Sequence, residues 1–554
     1  MHLYIILLIA GLAPDLLSAS SLPRSGIVDL GYSQYQGISL YNGVDEFLGI
    51  RYAKAPVGEL RFRAPQDPES TNEVLDASSV RLARFLVALH LVNLKQFGPV
   101  CIGVGQTAST AYAEDCLFVN IYRPNNASTN ANLPVWVFIS GGGYADISNA
   151  NYNGSQVVQQ SGHGIVLVNF NYRVGMLGFL AGEEVRKKGD LNVGLLDQRK
   201  LLSWVQQNIH LFGGDPDHVV IHGDSAGAGS VAHHITAYEG RDMNLFAGAI
   251  AESNFWPTQR TVAEMEFQYT RLAKDTGCDN ANDILACLRT VNIQTIQEYD
   301  VDEPFPGGSS SPVPLWYWLP VVDGDLVPGL LYTLFEQGKV VHVPVMVSDD
   351  TNEGTAFAIN ATSSAEVSQF MKNNYPGLTG DQLEGINKEY PLMKALPKHA
   401  AYFPSAAAAY GDSTFTCPGN HMSASMAHFV SSDKVWNYRC NILDPTEIAD
   451  GMGVPHVFEM PAVFGLGETN EASASFATTN ADMVPIIMDY FISFIKTLNP
   501  NKFRNENAPM WRAWGSGTGE RLRLQTNSTA MEDVPKAQVQ RCAMWQKLAT
   551  TMEQ

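Results

Sequence analysis

Short runs of β-branched and aromatic residues, set off by polar or glycine-bearing turns, recur along the chain: "LPVWVFIS" from Leu133, "GIVLVNFNYR" from Gly164, "DHVVIHG" from Asp217, "FAGAIAES" from Phe246, "VPVMVSD" from Val343 and "KVWNYRCNI" from Lys434. Apolar on nearly every position, they read as strands covered on both faces. Between them apolar residues recur at helical spacing in "LLDQRKLLSWVQQNIHLFG" (195–213), which ends in glycine, and in "EMEFQYTRLAKDTG" and "VPIIMDYFISFIKTL". Strands alternating with helices predict an α/β protein whose mostly parallel sheet is flanked by helices. Nearer the start, "GISLYNGVDEFLGIRYA" alternates instead, with a turn signal at Asn42 and Gly43, and predicts a small N-terminal antiparallel sheet.

Two segments stand outside this rhythm. Residues 1–20, "MHLYIILLIAGLAPDLLSAS", form an apolar run of signal-peptide length, with small residues at Ser18 and Ser20 that suit cleavage after Ser20. Residues 80–96, "VRLARFLVALHLVNLKQ", interrupt what otherwise runs smoothly from "LDASS" to "FGPVC". Two readings apply: a lid-like helix, or a retained intron translated in frame, since Val codons begin GT and Gln can be encoded CAG. A transcript lacking these codons identifies the intron. The remainder, 21–554, reads as a single domain, because no repeat, long charge block or extended linker divides it.

At 554 residues and 45% hydrophobic content the chain can bury a large core. Its formal charge of -20 repels phosphate backbones and anionic bilayers, so nucleic acid and stable membrane insertion are not expected. Seven cysteines without tight metal-ligand spacing, and sequons at Asn126, Asn153, Asn360 and Asn527, fit an oxidising, secretory route and an extracellular protein.

The chemistry centres on "HGDSAGAG", where Ser225 lies between Gly223 and Gly227. A chain this long carries about 0.2 to 0.3 copies of G-x-S-x-G by chance, so the pattern alone decides nothing. Here, though, a buried strand enters it and a small-residue helix leaves it, the setting of a nucleophile elbow. Upstream, "FISGGGY" places Gly141, Gly142 and Gly143 directly after a strand, where bare backbone can turn N–H groups toward a developing oxyanion. An acid and a histidine should follow the serine in chain order. "DDTNEG" offers Asp349, Asp350 and Glu353, among which local sequence does not choose. Of His399, His421, His428 and His456, the last lies in the glycine-bearing loop "GMGVPHVFE" after a strand and is preferred.

These stretches, with "GIRYAKAPVGELRFRAP", "EDCLFVNIYRP", "NYRVGMLGFL" and "RCAMW", resemble the type B carboxylesterase family, which includes cholinesterases and secreted fungal lipases and esterases. The resemblance covers nearly the whole mature chain. It implies the α/β-hydrolase fold and a cofactor-free hydrolase of carboxylic esters, acting on a small-molecule or lipid ester. By match to the family, Ser225 is the nucleophile, Glu353 the acid and His456 the base, with an oxyanion hole from Gly142, Gly143 and Ala226. It further implies an Arg173–Asp197 pair as scaffolding, disulfides Cys101–Cys116, Cys278–Cys287 and Cys417–Cys542, and Cys440 as a buried thiol. "PLWYWLPVVDG" aligns with the acyl-pocket region, so Trp316 and Trp318 either line that pocket or pack in the core.

Departures from the family matter as well. Only 14 residues separate Cys101 from Cys116, none of them tryptophan, so the cation-binding ring of cholinesterases is missing. Lipases of the family use a longer version of this loop as a lid. Asp224 stands where cholinesterases carry Glu. The rival readings are a true lipase or sterol esterase and, in another class, a noncatalytic adhesion module; modules of that kind lose triad members, whereas all three residue types remain here.

Overall fold

The structure, a computed structural model, describes residues 22–78, 97–469, 474–515 and 519–554. The proposed leader (1–20) and the odd segment 80–96 lie outside the described residues. The described residues form fifteen strands: β1 (Arg24–Asp29), β2 (Gln34–Ser39), β3 (Val44–Arg51), β4 (Val74–Asp76), β5 (Val100–Cys101), β6 (Tyr112–Ala113), β7 (Phe118–Pro124), β8 (Leu133–Ile139), β9 (Val166–Phe170), β10 (Gly214–Asp224), β11 (Gly248–Glu252), β12 (Val345–Asp350), β13 (Val435–Cys440), β14 (Glu520–Leu524) and β15 (Ala530–Asp533). Thirteen of them make one sheet, ordered β1-β2-β3-β7-β9-β8-β10-β11-β12-β13-β14-β15, with β4 beside β2. From β9 through β14 every pairing is parallel. The antiparallel N-terminal strands are not a separate sheet: β3 pairs β7 from Val44↔Pro124 to Arg51↔Phe118 and so extends the main one.

The period-2 alternation of a strand explains why the six central runs are apolar throughout. Val135, Val137, Ile139, Val219, Ile221, Ala249, Ala251, Val345 and Val347 face one core, while Trp136, Phe138, Val220, Ile250, Met346 and Trp436 face the other. Helices Val193–Asn208 and Ala226–Gly240 cover the first face, and Met483–Thr497 covers the second. The helix expected over 195–213 stops at Asn208, continues as a short 3-10 turn, and ends where Gly213 takes φ +85°. Among the described residues no helix is long and apolar enough to cross a membrane.

All three disulfides implied by the family resemblance are formed, and Cys440 is a buried free thiol on β13. Arg173 and Asp197 make a buried two-pronged pair at 2.8 Å, in which Asp197 also accepts the Arg173 backbone N–H and Arg173 donates to the carbonyl of Arg63. Asn126, Asn360 and Asn527 are exposed. Asn153 is half-buried, its side-chain oxygen taken by the Ser155 amide.

Candidate active site

The sheet delivers its chemistry at the carboxyl ends of the parallel strands, where an α/β sheet opens to ligands. β10 ends at Asp224, and the chain reverses at Ser225 into helix Ala226–Gly240. To do so Ser225 takes φ 53°, ψ -123°, a strained conformation that costs roughly 1–3 kcal/mol and leaves it as the cap of that helix. The flanking glycines permit the turn. A Cβ on Gly223 would lie 2.2 Å from the carbonyl group of Gly227, and one on Gly227 would lie 2.0 Å from the carbonyl oxygen of Ile139. Strand, turn and helix thus pack closer than any side chain allows.

Beside Ser225 runs the glycine turn after β8. Gly142 has φ +114° and Gly143 φ +62°. Their amides, and that of Ala226, have no acceptor recorded among the described residues. The Gly141 amide, in contrast, is held at 2.9 Å by Asp224 and at 3.1 Å by Asn149. Asp224 therefore ties the strand that leads into Ser225 to the glycine turn, a role its position in the sequence did not reveal.

Opposite, two loops are laced together. The turn after β12 holds Glu353, and the loop after β13 holds His456. Asn352 donates its amide to the Val454 carbonyl (2.9 Å) and accepts the Val454 amide (3.0 Å); Thr355 donates to the Met452 carbonyl (2.8 Å); and Phe458 donates its amide to Asp350 (3.1 Å). At their junction His456 Nδ1 meets Glu353 Oε2 in a short hydrogen bond, while Glu353 Oε1 accepts the Asp350 amide at 2.7 Å. The carboxyl is 2% exposed. His456 Nε2 is buried with no partner recorded among the described residues, and no hydrogen bond is recorded between it and Ser225. The imidazole is bracketed by Phe415 (centroids 4.5 Å) and Phe357 (4.9 Å).

The three acids of "DDTNEG" separate cleanly. Asp349 and Asp350 still belong to β12 and point to opposite faces: Asp349 toward Arg521 (3.4 Å), Asp350 toward Phe458. Glu353 alone, in the turn beyond, reaches the histidine. The other histidines are occupied elsewhere. His399 stacks on Phe403, His421 lies against Tyr332, and His428 lies against Phe429. His222, inside the serine motif, is also a core residue: Trp136 donates to its Nδ1 (3.2 Å), so its Nε2–H donates to Glu252 (2.8 Å), and burial holds its pKa down at about 3.

The two tryptophans divide. Trp316 lies flat against the glycine turn, where a Cβ on Gly143 would be 2.0 Å from its ring. It donates to Tyr410 (2.9 Å) and meets Phe255 and Phe357 edge-on. Trp318 is a core ring rather than a pocket wall: it is fully buried, edge-on to Tyr317 and under the Arg271 guanidinium. One cavity of about 390 Å³ is lined by Asp349, Glu353, Met393, Arg439 and Arg541, and His456 is not part of its wall. Among the described residues one trio of metal-binding residue types comes together, Asp350, Cys440 and Glu459, all buried.

Residues 24–545 match the profile of the Carboxylesterase family. The chain belongs to the carboxylesterase family. It is similar to EstA of Aspergillus niger, a solved structure, at 57% identity and a TM-score of 0.91, covering 96% of this chain and 99% of that one. It is also 30% identical to Lipase 2 of Geotrichum candidum over 88% of this chain and 89% of the relative, and 32% identical to Secreted lipase 1 of Botryotinia fuckeliana (strain B05.10) over 86% and 84%. Membership in this family makes the protein a carboxylic ester hydrolase with the α/β-hydrolase fold.

Proposed function

We propose that this carboxylesterase works through an acyl-enzyme formed on Ser225, with His456 as general base and Glu353 as its orienting acid. The observation that carries this is the Glu353–His456 hydrogen bond: a proton on Nδ1 directed at the carboxylate leaves the Nε2 lone pair free, and Nε2 is the atom without a recorded partner. As the Ser225 oxygen bonds to the ester carbonyl carbon, its proton passes to Nε2 and the carbonyl π electrons move onto oxygen. The Gly142, Gly143 and Ala226 amides hold that charge. The intermediate collapses by expelling the alcohol, which takes the proton from Nε2. Water then repeats the sequence on the acyl-enzyme and releases the acid. Every proton is returned, and no further group is required.

The test is covalent. A fluorophosphonate should label Ser225 stoichiometrically, and Ser225→Ala should abolish both labelling and turnover of a soluble ester. Normal hydrolysis by that variant refutes the assignment.

A true lipase is the second reading, favoured by the names of the fungal relatives. Activity that jumps when a long-chain ester passes its solubility limit supports it; a smooth response with preference for short acyl chains supports an esterase. The leader pattern, the three disulfides and the relative called a secreted lipase support an extracellular protein. Material recovered from culture medium with its N-terminus after Ser20 is the expected result.

A further inference from the structure

Directly behind the acid and the histidine lies a buried set of ionisable groups that the reaction above does not use. Asp350, 1% exposed, contributes its amide to Glu353 Oε1 (2.7 Å) and uses one carboxyl oxygen, Oδ2, to accept the Phe458 amide (3.1 Å) and the Ser253 hydroxyl (3.5 Å). Its other oxygen, Oδ1, and Glu459 Oε2 have no hydrogen-bond partner recorded among the described residues. A carboxyl oxygen of Asp350, one of Glu459 and the Cys440 Sγ lie within 4.8 Å of one another. Two carboxylates buried this close together, with no cation beside them among the described residues, repel each other unless one is protonated, so the pair holds one proton.

Glu459 is fixed in turn by Tyr438, which donates to its Oε1 at 2.8 Å and also approaches Glu252 at 3.3 Å. One member of the pair therefore sits at the end of the acid-bearing strand, three residues before Glu353. The other sits three residues after His456. Their close approach spans the junction of the two loops.

We propose that Asp350, through the proton it shares with Glu459, is a positioning residue that holds the histidine loop against the acid turn and so keeps His456 aligned for Ser225. The inference rests on the triad reading given above and adds to it a residue that touches neither substrate nor reacting atoms.

Chemistry of the surroundings supports a proton here. Burial pushes the Asp350 carboxyl well above its ordinary range, and Glu459 and Glu353 reinforce the effect; burial and the Glu252 charge push Glu459 the same way. The groups facing the pair are Glu353 on its own segment, Glu252 with its partner His222, Tyr438 and Cys440 on β13, and His456 on the loop. None is a cation that would replace the proton when it leaves; His222 is held neutral and Arg521 lies on the other face with Asp349. Loss of the proton on the alkaline side would set two buried carboxylates against each other and against Glu353 and Glu252, and force the loops apart.

Asparagine supplies the discriminating variant. In Asp350→Asn the amide oxygen still accepts the Phe458 amide, and the amide nitrogen donates permanently to Glu459. The experiment measures kcat and KM for a soluble short-acyl ester, and fluorophosphonate inactivation rates, for wild type, Asp350→Asn and Asp350→Ala over about pH 6 to about pH 10. Asp350→Ala should lower kcat and the inactivation rate by about 10- to 100-fold with KM within about threefold, as expected of a misplaced base. Wild type should decline in kcat on the alkaline side, and Asp350→Asn should stay within about threefold of wild type near neutrality and lack that decline; a wild type with no alkaline decline overturns the inference. Wild-type kcat in Asp350→Ala, or an alkaline decline in Asp350→Asn that matches wild type, overturns the inference while leaving labelled Ser225 intact; an ion bound stoichiometrically at Asp350, Cys440 and Glu459 overturns it too. If Asp350→Ala does not fold, the pH profile of Asp350→Asn decides alone. Failure of wild type to label at Ser225 sinks the triad and this inference together.

Discussion

Gly143 offers the sharpest test of how the glycine turn and the tryptophan beside it are built. Replacing Gly143 by alanine places a Cβ 2.0 Å from Cζ3 of Trp316, 2.1 Å from Cε3 and 2.6 Å from Cη2. Carbon atoms settle at about 3.5–4.0 Å, so ring and turn must part by roughly 1.5 Å. The ring is ill placed to yield, being tied to Tyr410 and wedged between Phe255 and Phe357. The turn gives instead, and the Gly143 amide moves with it. The left-handed φ of +62° adds about 1–2 kcal/mol for an L-residue, and overpacking adds about 1–3. Gly143→Ala should therefore lose about 2–5 kcal/mol of stability and, with one oxyanion donor displaced, about 100- to 1000-fold in kcat. Trp316→Ala removes the obstacle. In the double variant only the backbone cost remains, so the two changes should couple by about 1–3 kcal/mol and kcat should recover by about tenfold or more from the single glycine variant. Denaturant unfolding and steady-state kinetics on the four proteins measure both quantities. A fully functional Gly143→Ala, or effects that simply add, refutes the packing argument and the oxyanion role with it.

Other positions give simpler expectations. Asp224→Ala leaves the Gly141 amide with Asn149 alone and should cost about 1–3 kcal/mol in urea unfolding, with kcat reduced about tenfold through the loosened glycine turn; unchanged kcat would separate Asp224 from the site. Asp300 is fully buried and desolvation pushes its pKa up to about 7 from 3.8, so its contribution to stability is complete below about pH 4 and is lost as pH rises through about 7, a swing of up to about 4 kcal/mol. Asp300→Asn should flatten that part of the stability curve, and a variant that keeps the wild-type slope places the linkage elsewhere. Opening Cys417–Cys542, a separation of 125 residues, should cost about 5 kcal/mol by chain entropy, against about 2–3 for Cys278–Cys287, separated by 9. Equal losses in calorimetry of the two double-serine variants would reject the loop-length argument.

What the sequence disclosed and what it hid follow from where each signal resides. The central strands were legible because both faces are buried, and a run such as "VLVNF" needs no partner to announce itself. β14 was not, since "ERLRL" reads as a charged surface segment; its Arg521 is 1% exposed only because Asp349 and Glu532, from other strands, neutralise it. The tight turn at Ser225 was legible for the opposite reason, that its glycines are required by contacts within a few residues and with one neighbouring strand. The acid was not, because Asp349, Asp350 and Glu353 are chemically interchangeable until the end of β12 fixes which of them lies beyond the strand. Desolvation is the quantity most completely hidden. Sequence assigns Asp350 and Glu459 a negative charge each, and only their burial side by side on converging loops pushes both carboxyls well above their ordinary range. The charge of -20 therefore overstates the ionisation of the interior, behind the site and at Asp300 alike.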